Sequence, residues 1–154
     1  YGELCKDSAM SAPGLPDYLL IFRVPGDNAE PIRHTPEEFP LSQWQEWASP
    51  VWMTIDQTNV LGGQLAQRQA REQADERHVC PLQLDVIRRS VVMWSNPGDV
   101  VLSPFMGIGS EGYVSLKEGR RFIGIELKES YWRQAVKHLS SIEAQTSMFS
   151  SAAE

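Results

Sequence analysis

Apolar and polar residues follow two different patterns in the second half of the chain. Residues 80–95 place apolar side chains at helical spacing, and Asn96-Pro97-Gly98 ends that segment. Short continuous apolar runs at 99–105 and 120–127 predict two buried strands. A glycine turn and a helix lie between these runs, and an amphipathic helix follows at 128–145. Because helices alternate with strands, we predict an α/β fold with a parallel sheet.

The first half of the chain gives weaker signals. Residues 17–23 form a continuous apolar run that predicts one strand. Thr35-Pro36 predicts the start of a short helix that brings Trp44 and Trp47 near one face. Trp94 and Trp132 fall on apolar helix faces further along, and we expect both in the core.

These signals divide the chain into three parts. The N-terminal segment has one strand, a stretch rich in Trp and Pro and a polar linker, and we expect it to pack on the sheet. A helix–strand–helix–strand–helix unit follows, and a flexible tail ends the chain. The predicted bounds are 1–77, 78–145 and 146–154.

Composition narrows the class of protein. A chain of 154 residues, 42% hydrophobic and 22% charged, can bury one ordinary core. The net charge is −6, and residues 1–77 carry 12 acidic against 6 basic side chains. Since phosphate neutralisation needs clustered Lys and Arg, this piece is not an obvious nucleic-acid binder. The chain begins at Tyr1 rather than Met, which favours a piece of a longer protein.

The two cysteines and three histidines give no metal site. Cys5 and Cys80 lie far apart, which excludes a disulfide framework and a zinc cluster and favours a reducing cytoplasm. His34 and His138 have no ligand partners at useful spacing, so we expect both to be structural or solvated. No apolar run approaches the roughly 20 residues that span a bilayer, and no secretory signal opens the sequence.

The candidate chemistry lies between the two predicted strands of the second half. Gly107-Ile108-Gly109-Ser110-Glu111-Gly112 is a G-x-G-x-x-G turn, and Glu126 follows Gly107 by 19 residues at the end of the next strand. Glycines let a ligand approach the backbone, and a helix N-terminus offers free N–H groups. A carboxylate at the tip of the second strand can accept hydrogen bonds from ribose hydroxyls. A dinucleotide and S-adenosylmethionine both fit this arrangement.

The residues before the turn resemble a known family. In dinucleotide sites the first glycine follows the strand almost directly, whereas Ser103-Pro104-Phe105-Met106 intervenes here. Pro-Phe-x-Gly-x-Gly at a strand end resembles motif I of the N6-adenine/N4-cytosine DNA methyltransferases, and the chain looks like phage-type members. Residues 75–139 are similar to the C-terminal half of that family, with several segments matching in order and spacing.

The resemblance implies an incomplete Rossmann-like methyltransferase fold, with flanking helices on a parallel-rich sheet, that binds S-adenosylmethionine. The start of the first helix would flank the methionine end of the cofactor, motif I would wrap the methionine and ribose, and Glu126 would hold the ribose hydroxyls beside an adenine packed on Leu127. The implied cofactor-binding residues are His78, Cys80, Pro81, Ser103, Pro104, Phe105, Met106, Gly107, Gly109, Ser110, Glu126 and Leu127. Ser103 stands where the wider family usually carries Asp, and Glu111 where it often has a small residue.

The resemblance also implies a reaction that this chain cannot complete. The family transfers a methyl group to an exocyclic amine of a base flipped from double-stranded DNA. It uses an Asp-Pro-Pro-Tyr type motif, which this sequence lacks. We therefore expect no catalytic residue and no metal here, and an inactive portion of a cytoplasmic DNA methyltransferase, with adenine N6 favoured over cytosine N4. The alternatives are a fragment of a dinucleotide-binding oxidoreductase and a degenerate, non-catalytic interaction module.

Overall fold

The computed structural model describes residues 17–62 and 82–150, with side chains as far as residue 142. The chain divides into two compact units between Pro31 and Ile32. The domain boundary predicted after residue 77 lies outside the described residues, as do three of the predicted cofactor-binding residues, His78, Cys80 and Pro81.

The larger unit alternates helices and strands, which confirms the predicted α/β class. Its elements, in chain order, are α1 (Leu41–Trp47), α2 (Leu84–Trp94), β1 (Val100–Ser103), α3 (Ser110–Lys117), β2 (Arg121–Gly124) and α4 (Glu129–Ser150). β1 and β2 pair in parallel, with Val100 opposite Arg121 and Ser103 opposite Gly124. Helix α4 continues to Ser150, five residues beyond the predicted helix end at 145, and the flexible tail at 146–154 stays a prediction.

Helix α3, which connects the two parallel strands, lies at the centre of the packing. It contacts α2 on one side, α4 on the other, and both strands beneath it. Val114 of α3 forms a buried cluster with Ile87 and Val91 of α2, and Val101 of β1 packs against that cluster. The crossover helix therefore ties α2 to the sheet and fixes the loop that precedes it.

The two strands are buried on one face only, so the prediction of buried strands is half right. Phe122 is partly buried and Ser103 is buried on the helix-covered face. The alternate positions, Val100, Leu102, Ile123 and Ile125, are exposed. Parallel sheets normally have both faces covered, which is why their strands read as continuous apolar runs. The described helices cover one face and leave an apolar surface on the other.

The strand predicted at residues 17–23 is wrong, because the structure describes no strand there. Tyr18, Leu20 and Phe22 are exposed, and no β-bridge joins the segment to another described residue. Apolar residues favour a strand, but a strand forms only where a neighbour completes its hydrogen bonds. None of the described helices is long and apolar enough to cross a membrane.

The first helix begins later than predicted because of a second proline. Glu38 donates its backbone N–H to Thr35 Oγ1 at 3.3 Å, and its carboxylate accepts the Thr35 N–H at 3.3 Å. This is the reciprocal pattern of a helix start, but Pro40 has no N–H to continue it. The helix starts afresh at Leu41.

The tryptophans divide between core and surface. Trp47 packs with Phe39 against Val92 of α2, whereas Trp44 on the same helix is exposed. The prediction that Trp94 and Trp132 are core residues is wrong, since they are 37% and 48% exposed. Both lie on helix faces that no other described element covers fully.

Candidate cofactor site

The loops that follow β1 and β2 meet at one edge of the sheet. The parallel ladder continues past the strands, because Ile125 donates its backbone N–H to Ser103 O at 2.9 Å. Met106 in turn donates its N–H to Ile125 O at 2.9 Å. These two bonds place the glycine turn directly beside Glu126.

Glu126 bridges the two loops through both of its carboxylate oxygens. Oε2 accepts the backbone N–H of Gly107 at 2.8 Å, and Oε1 accepts the N–H of Lys128 at 2.8 Å. The carboxylate thus lies against the glycine turn, as the spacing of the two motifs predicts. Each oxygen has a second lone pair and can accept a further hydrogen bond from a ligand hydroxyl.

Two glycines of the turn adopt backbone conformations that other residues reach with strain. Gly107 has φ 56° and Gly109 has φ 90°. A Cβ on Gly109 would lie 3.0 Å from Ala135 Cβ and 3.2 Å from Ala135 Cα, whereas a Cβ on Gly107 would meet nothing within 4 Å. The turn therefore has a buried side pressed on α4 and an open side at Gly107, where a ligand can approach the backbone.

Helix α4 holds the buried side of the turn through one hydrogen bond that sequence reasoning missed. His138 Nδ1 lies 2.9 Å from the carbonyl oxygen of Ile108. Because a carbonyl only accepts, Nδ1 carries the hydrogen in this contact. His138 follows the fully buried Ala135 by three residues, which places both on the helix face that packs on the turn. The sequence alone carries no signal for the acceptor of His138.

The remaining predicted residues fall into two groups around the carboxylate. Ser103, Met106, Gly109 and Ser110 are buried, and Met106 packs over Gly124. Phe105 and Leu127 are 87% and 97% exposed, and Pro104 is also exposed. Two exposed apolar side chains, one from each loop, therefore accompany a carboxylate and an open stretch of glycine backbone. This combination fits an adenosine, whose flat base is apolar on its faces and whose ribose donates hydrogen bonds.

One titratable side chain near the turn has a perturbed pKa. Glu111 lies in the first turn of α3, and burial raises its pKa above the ordinary carboxyl value. Its own backbone N–H opposes that shift and is outweighed. The carboxylate is therefore held in a partly desolvated place beside the glycine turn.

The chain passes from the end of α2 at Trp94 to the start of β1 at Val100. The first turn of α2 therefore lies toward the other end of β1, where the glycine turn follows the strand. Asn59 secures it twice, because its carbonyl accepts the Leu84 N–H at 2.8 Å and its side chain donates to Asp85 at 3.1 Å. Three residues before Asn59, the Asp56 carboxylate accepts hydrogen bonds from the hydroxyl and the backbone N–H of Thr58, and these lower its pKa. Sequence reasoning missed this turn, although Asp-x-Thr is a typical turn signal.

Comparison with known proteins identifies the family. The sequence model of the DNA methylase family matches residues 16–137. Type II methyltransferase M1.MboII of Moraxella bovis is 30% identical over 79% of this chain and 47% of its own length. DNA adenine methyltransferase YhdJ of Escherichia coli is 41% identical over 35% of this chain and 18% of its own length.

Solved structures agree with the sequence relatives. TTHA0409 of Thermus thermophilus, a DNA modification methylase by its description, matches with a TM-score of 0.57 and 25% identity, over 78% of this chain and 42% of that one. Its complex with S-adenosyl-L-methionine matches with a TM-score of 0.56. The likeness to TTHA0409 confirms the predicted, incomplete methyltransferase fold. The chain spans less than half the length of M1.MboII, YhdJ and TTHA0409. Since the family match covers most of the sequence, this chain belongs to the DNA methylase family.

Proposed function

We propose that this chain is the S-adenosylmethionine-binding portion of a DNA methyltransferase acting on an exocyclic base amine, with adenine N6 favoured over cytosine N4. The observation that carries the proposal is the Glu126 carboxylate, which bridges Gly107 and Lys128 beside an open glycine turn. The names of the relatives support it, since YhdJ is a DNA adenine methyltransferase and TTHA0409 was solved with S-adenosyl-L-methionine.

In this proposal each group of residues has a separate task. Glu126 accepts hydrogen bonds from the ribose hydroxyls with the lone pairs that the backbone leaves free. Phe105 and Leu127 cover the faces of the adenine, which would remove two exposed apolar side chains from water. Ser103 and Ser110 are buried at the two ends of the turn. The predicted residues before α2, His78, Cys80 and Pro81, would flank the methionine end.

The bound sulfonium supplies an electrophilic methyl group, and the protein supplies binding and orientation. The chain has no Asp-Pro-Pro-Tyr type motif to hold a target amine, so we propose that it does not methylate DNA alone. Double-stranded DNA would be bound through the longer protein, since residues 1–77 carry an acidic excess. The setting that we propose is the cytoplasm of a bacterium or of a phage-infected host.

Calorimetric titration tests the cofactor assignment. We expect S-adenosylmethionine and S-adenosylhomocysteine to bind saturably and NADH not to bind. Glu126→Ala should abolish the binding of both sulfur ligands. Glu129→Ala is the matched control, because Glu129 is an exposed acid nearby that pairs with Arg133 at the start of α4. Binding of NADH, or equal affinities for wild type and Glu126→Ala, would contradict the assignment.

A methyl-transfer assay tests the proposed reaction. The chain alone, given radiolabelled cofactor and unmodified DNA, should transfer nothing. A longer protein containing this chain should label DNA, and nucleoside analysis should find N6-methyladenine. Finding N4-methylcytosine would refute the choice of base, and activity of the chain alone that Glu126→Ala removes would refute its inactivity. Retained cofactor binding without labelling by the longer protein would favour a non-catalytic module.

A further inference from the structure

One peptide unit of the glycine turn is fixed at both of its polar ends. The Gly109 backbone N–H donates to the carbonyl oxygen of Met106 at 2.9 Å, and the Ile108 carbonyl oxygen lies 2.9 Å from His138 Nδ1. The first bond closes a four-residue turn over 106–109 within the loop. The second bond reaches across to α4. The peptide between Ile108 and Gly109 is therefore held by the loop at one end and by a helix at the other.

The imidazole of His138 determines which way the Ile108 carbonyl points. Gly107 and Gly109 lie on either side of Ile108 with φ of 56° and 90°, and a glycine adopts left-handed and right-handed backbone conformations with similar ease. The two glycines therefore do little by themselves to keep this peptide in one orientation. The donor at 2.9 Å holds the oxygen toward α4, on the buried side of the turn.

Helix α4 in turn holds the imidazole in place through its packed neighbours. Ala135, one helical turn earlier, has no exposed surface, and its Cβ would lie 3.0 Å from a Cβ added to Gly109. Leu139, the next residue along, lies close to α3, because a Cβ added to Gly112 would be 2.8 Å from Leu139 Cδ2. Packing before and after His138 in the sequence therefore keeps its ring beside the glycine turn.

We propose that His138 is a positioning residue for ligand binding, and that the site needs its N–H donor to keep the glycine turn in the shape that an adenosyl ligand contacts. The inference rests on the proposed function and adds a residue of α4 that acts through the Ile108 carbonyl. Without the donor, the turn adopts other shapes in the free protein. The apparent affinity then falls in proportion to the fraction of molecules that keep the competent shape. No covalent step is involved.

Titration of four proteins with S-adenosylhomocysteine tests the donor. They are the wild type, His138→Leu, which removes the donor, His138→Asn, which restores an N–H at the level of Nδ1, and Gly98→Ala. Gly98→Ala is the control, because its φ of 83° makes an alanine costly and it lies before β1, at the far end of that strand from the turn. His138→Leu should weaken binding by about three- to tenfold, the size expected for one neutral hydrogen bond. His138→Asn should recover most of that loss, and Gly98→Ala should bind as wild type does.

Nitrogen-15 NMR of the free protein gives a readout that does not depend on affinity. Because a carbonyl only accepts, the contact requires the hydrogen on Nδ1 of His138. Two-bond hydrogen–nitrogen correlation spectra at pH 8 should therefore show a protonated Nδ1 for this residue, identified by the absence of its signals from His138→Leu. A hydrogen found only on Nε2 would overturn the inference.

The outcomes separate this inference from the function on which it rests. If wild type binds S-adenosylhomocysteine and Glu126→Ala does not, the cofactor assignment stands whatever the His138 variants do. Equal affinities for wild type and His138→Leu would overturn the role of His138, as would equal losses in His138→Leu and His138→Asn. A similar loss in Gly98→Ala would show that affinity follows overall stability and would overturn it too. If wild type does not bind, both proposals fall together. Thermal melts of each variant verify that it is folded at the temperature of the titration.

Discussion

Replacement of Gly109 by alanine tests whether the glycine turn is pressed against α4. Gly109 has φ 90°, and an added Cβ would lie 3.0 Å from Ala135 Cβ. The left-handed backbone costs an alanine about 1–2 kcal/mol. Forcing a carbon into a packed contact costs about 1–3 kcal/mol more. Gly109→Ala should therefore lose about 2–5 kcal/mol, a large part of the roughly 5–15 kcal/mol of a typical domain.

Gly98 provides the matched control. It has φ 83°, nearly the same conformation, but nothing lies within 4 Å of its added Cβ. Gly98→Ala should incur the backbone cost of about 1–2 kcal/mol alone. In urea unfolding with a slope of about 2 kcal/mol per molar, the midpoint of Gly109→Ala should fall by about 1 M more than that of Gly98→Ala.

A second substitution on α4 verifies the cause. Ala135→Gly removes the nearest atom and by itself should cost about 1 kcal/mol as a glycine inside a helix. In the Gly109→Ala background it should cost less or restore stability, because it makes room for the new methyl group. Equal midpoints for Gly109→Ala and Gly98→Ala, or strict additivity with Ala135→Gly, would refute the packing described for the turn.

Three further substitutions test the groups around the turn. His138→Ala removes the donor to the loop carbonyl and should cost about 1 kcal/mol in urea unfolding, and equal stability would show that this bond contributes nothing. Glu126→Gln should destabilise by about 1–3 kcal/mol, since one of the two backbone N–H groups now faces an amide donor; no loss would argue against the bridge. The raised pKa of Glu111 means that its ionisation opposes folding, so stability is lost as the pH rises through that pKa. Glu111→Gln should therefore have a higher melting temperature than wild type at pH 7. The difference in melting temperature should vanish below pH 4.5, the ordinary pKa of a glutamate, and a difference that stays constant with pH would contradict the raised pKa.

The parts of the site that depend on local conformation and strand order could be predicted from the sequence. Glycines at 107 and 109 adopt left-handed conformations that few other residues reach, and a helix follows directly. The carboxyl ends of two adjacent parallel strands meet at one edge, so Glu126 had to lie near the turn once both strands were recognised. The contact of its carboxylate with the Gly107 N–H at 2.8 Å agrees with that order.

The parts that depend on distant partners could not be predicted. Residues 17–23 have the composition of a strand, yet pairing requires a neighbour that composition does not reveal. The turn that begins at Thr35 ends at Pro40, and α1 begins at Leu41 without a side-chain cap that would mark its start in the sequence. The bond from His138 to Ile108 spans 30 residues, and a lone histidine on an amphipathic helix gives no indication of its acceptor.

The contacts around the turn also bear on how binding and catalysis can be separated. The turn is fixed by Glu126 from the loop after β2 and by Ala135 and His138 from α4, and all of these residues lie within this chain. These contacts hold the turn from within the chain, and a preorganised site loses little free energy to ordering when it binds. The sequence lacks the Asp-Pro-Pro-Tyr type motif that the proposed reaction uses to hold a target base. We therefore expect the chain to retain cofactor affinity without transfer activity, which makes cofactor titration and methyl transfer independent measurements on the same protein.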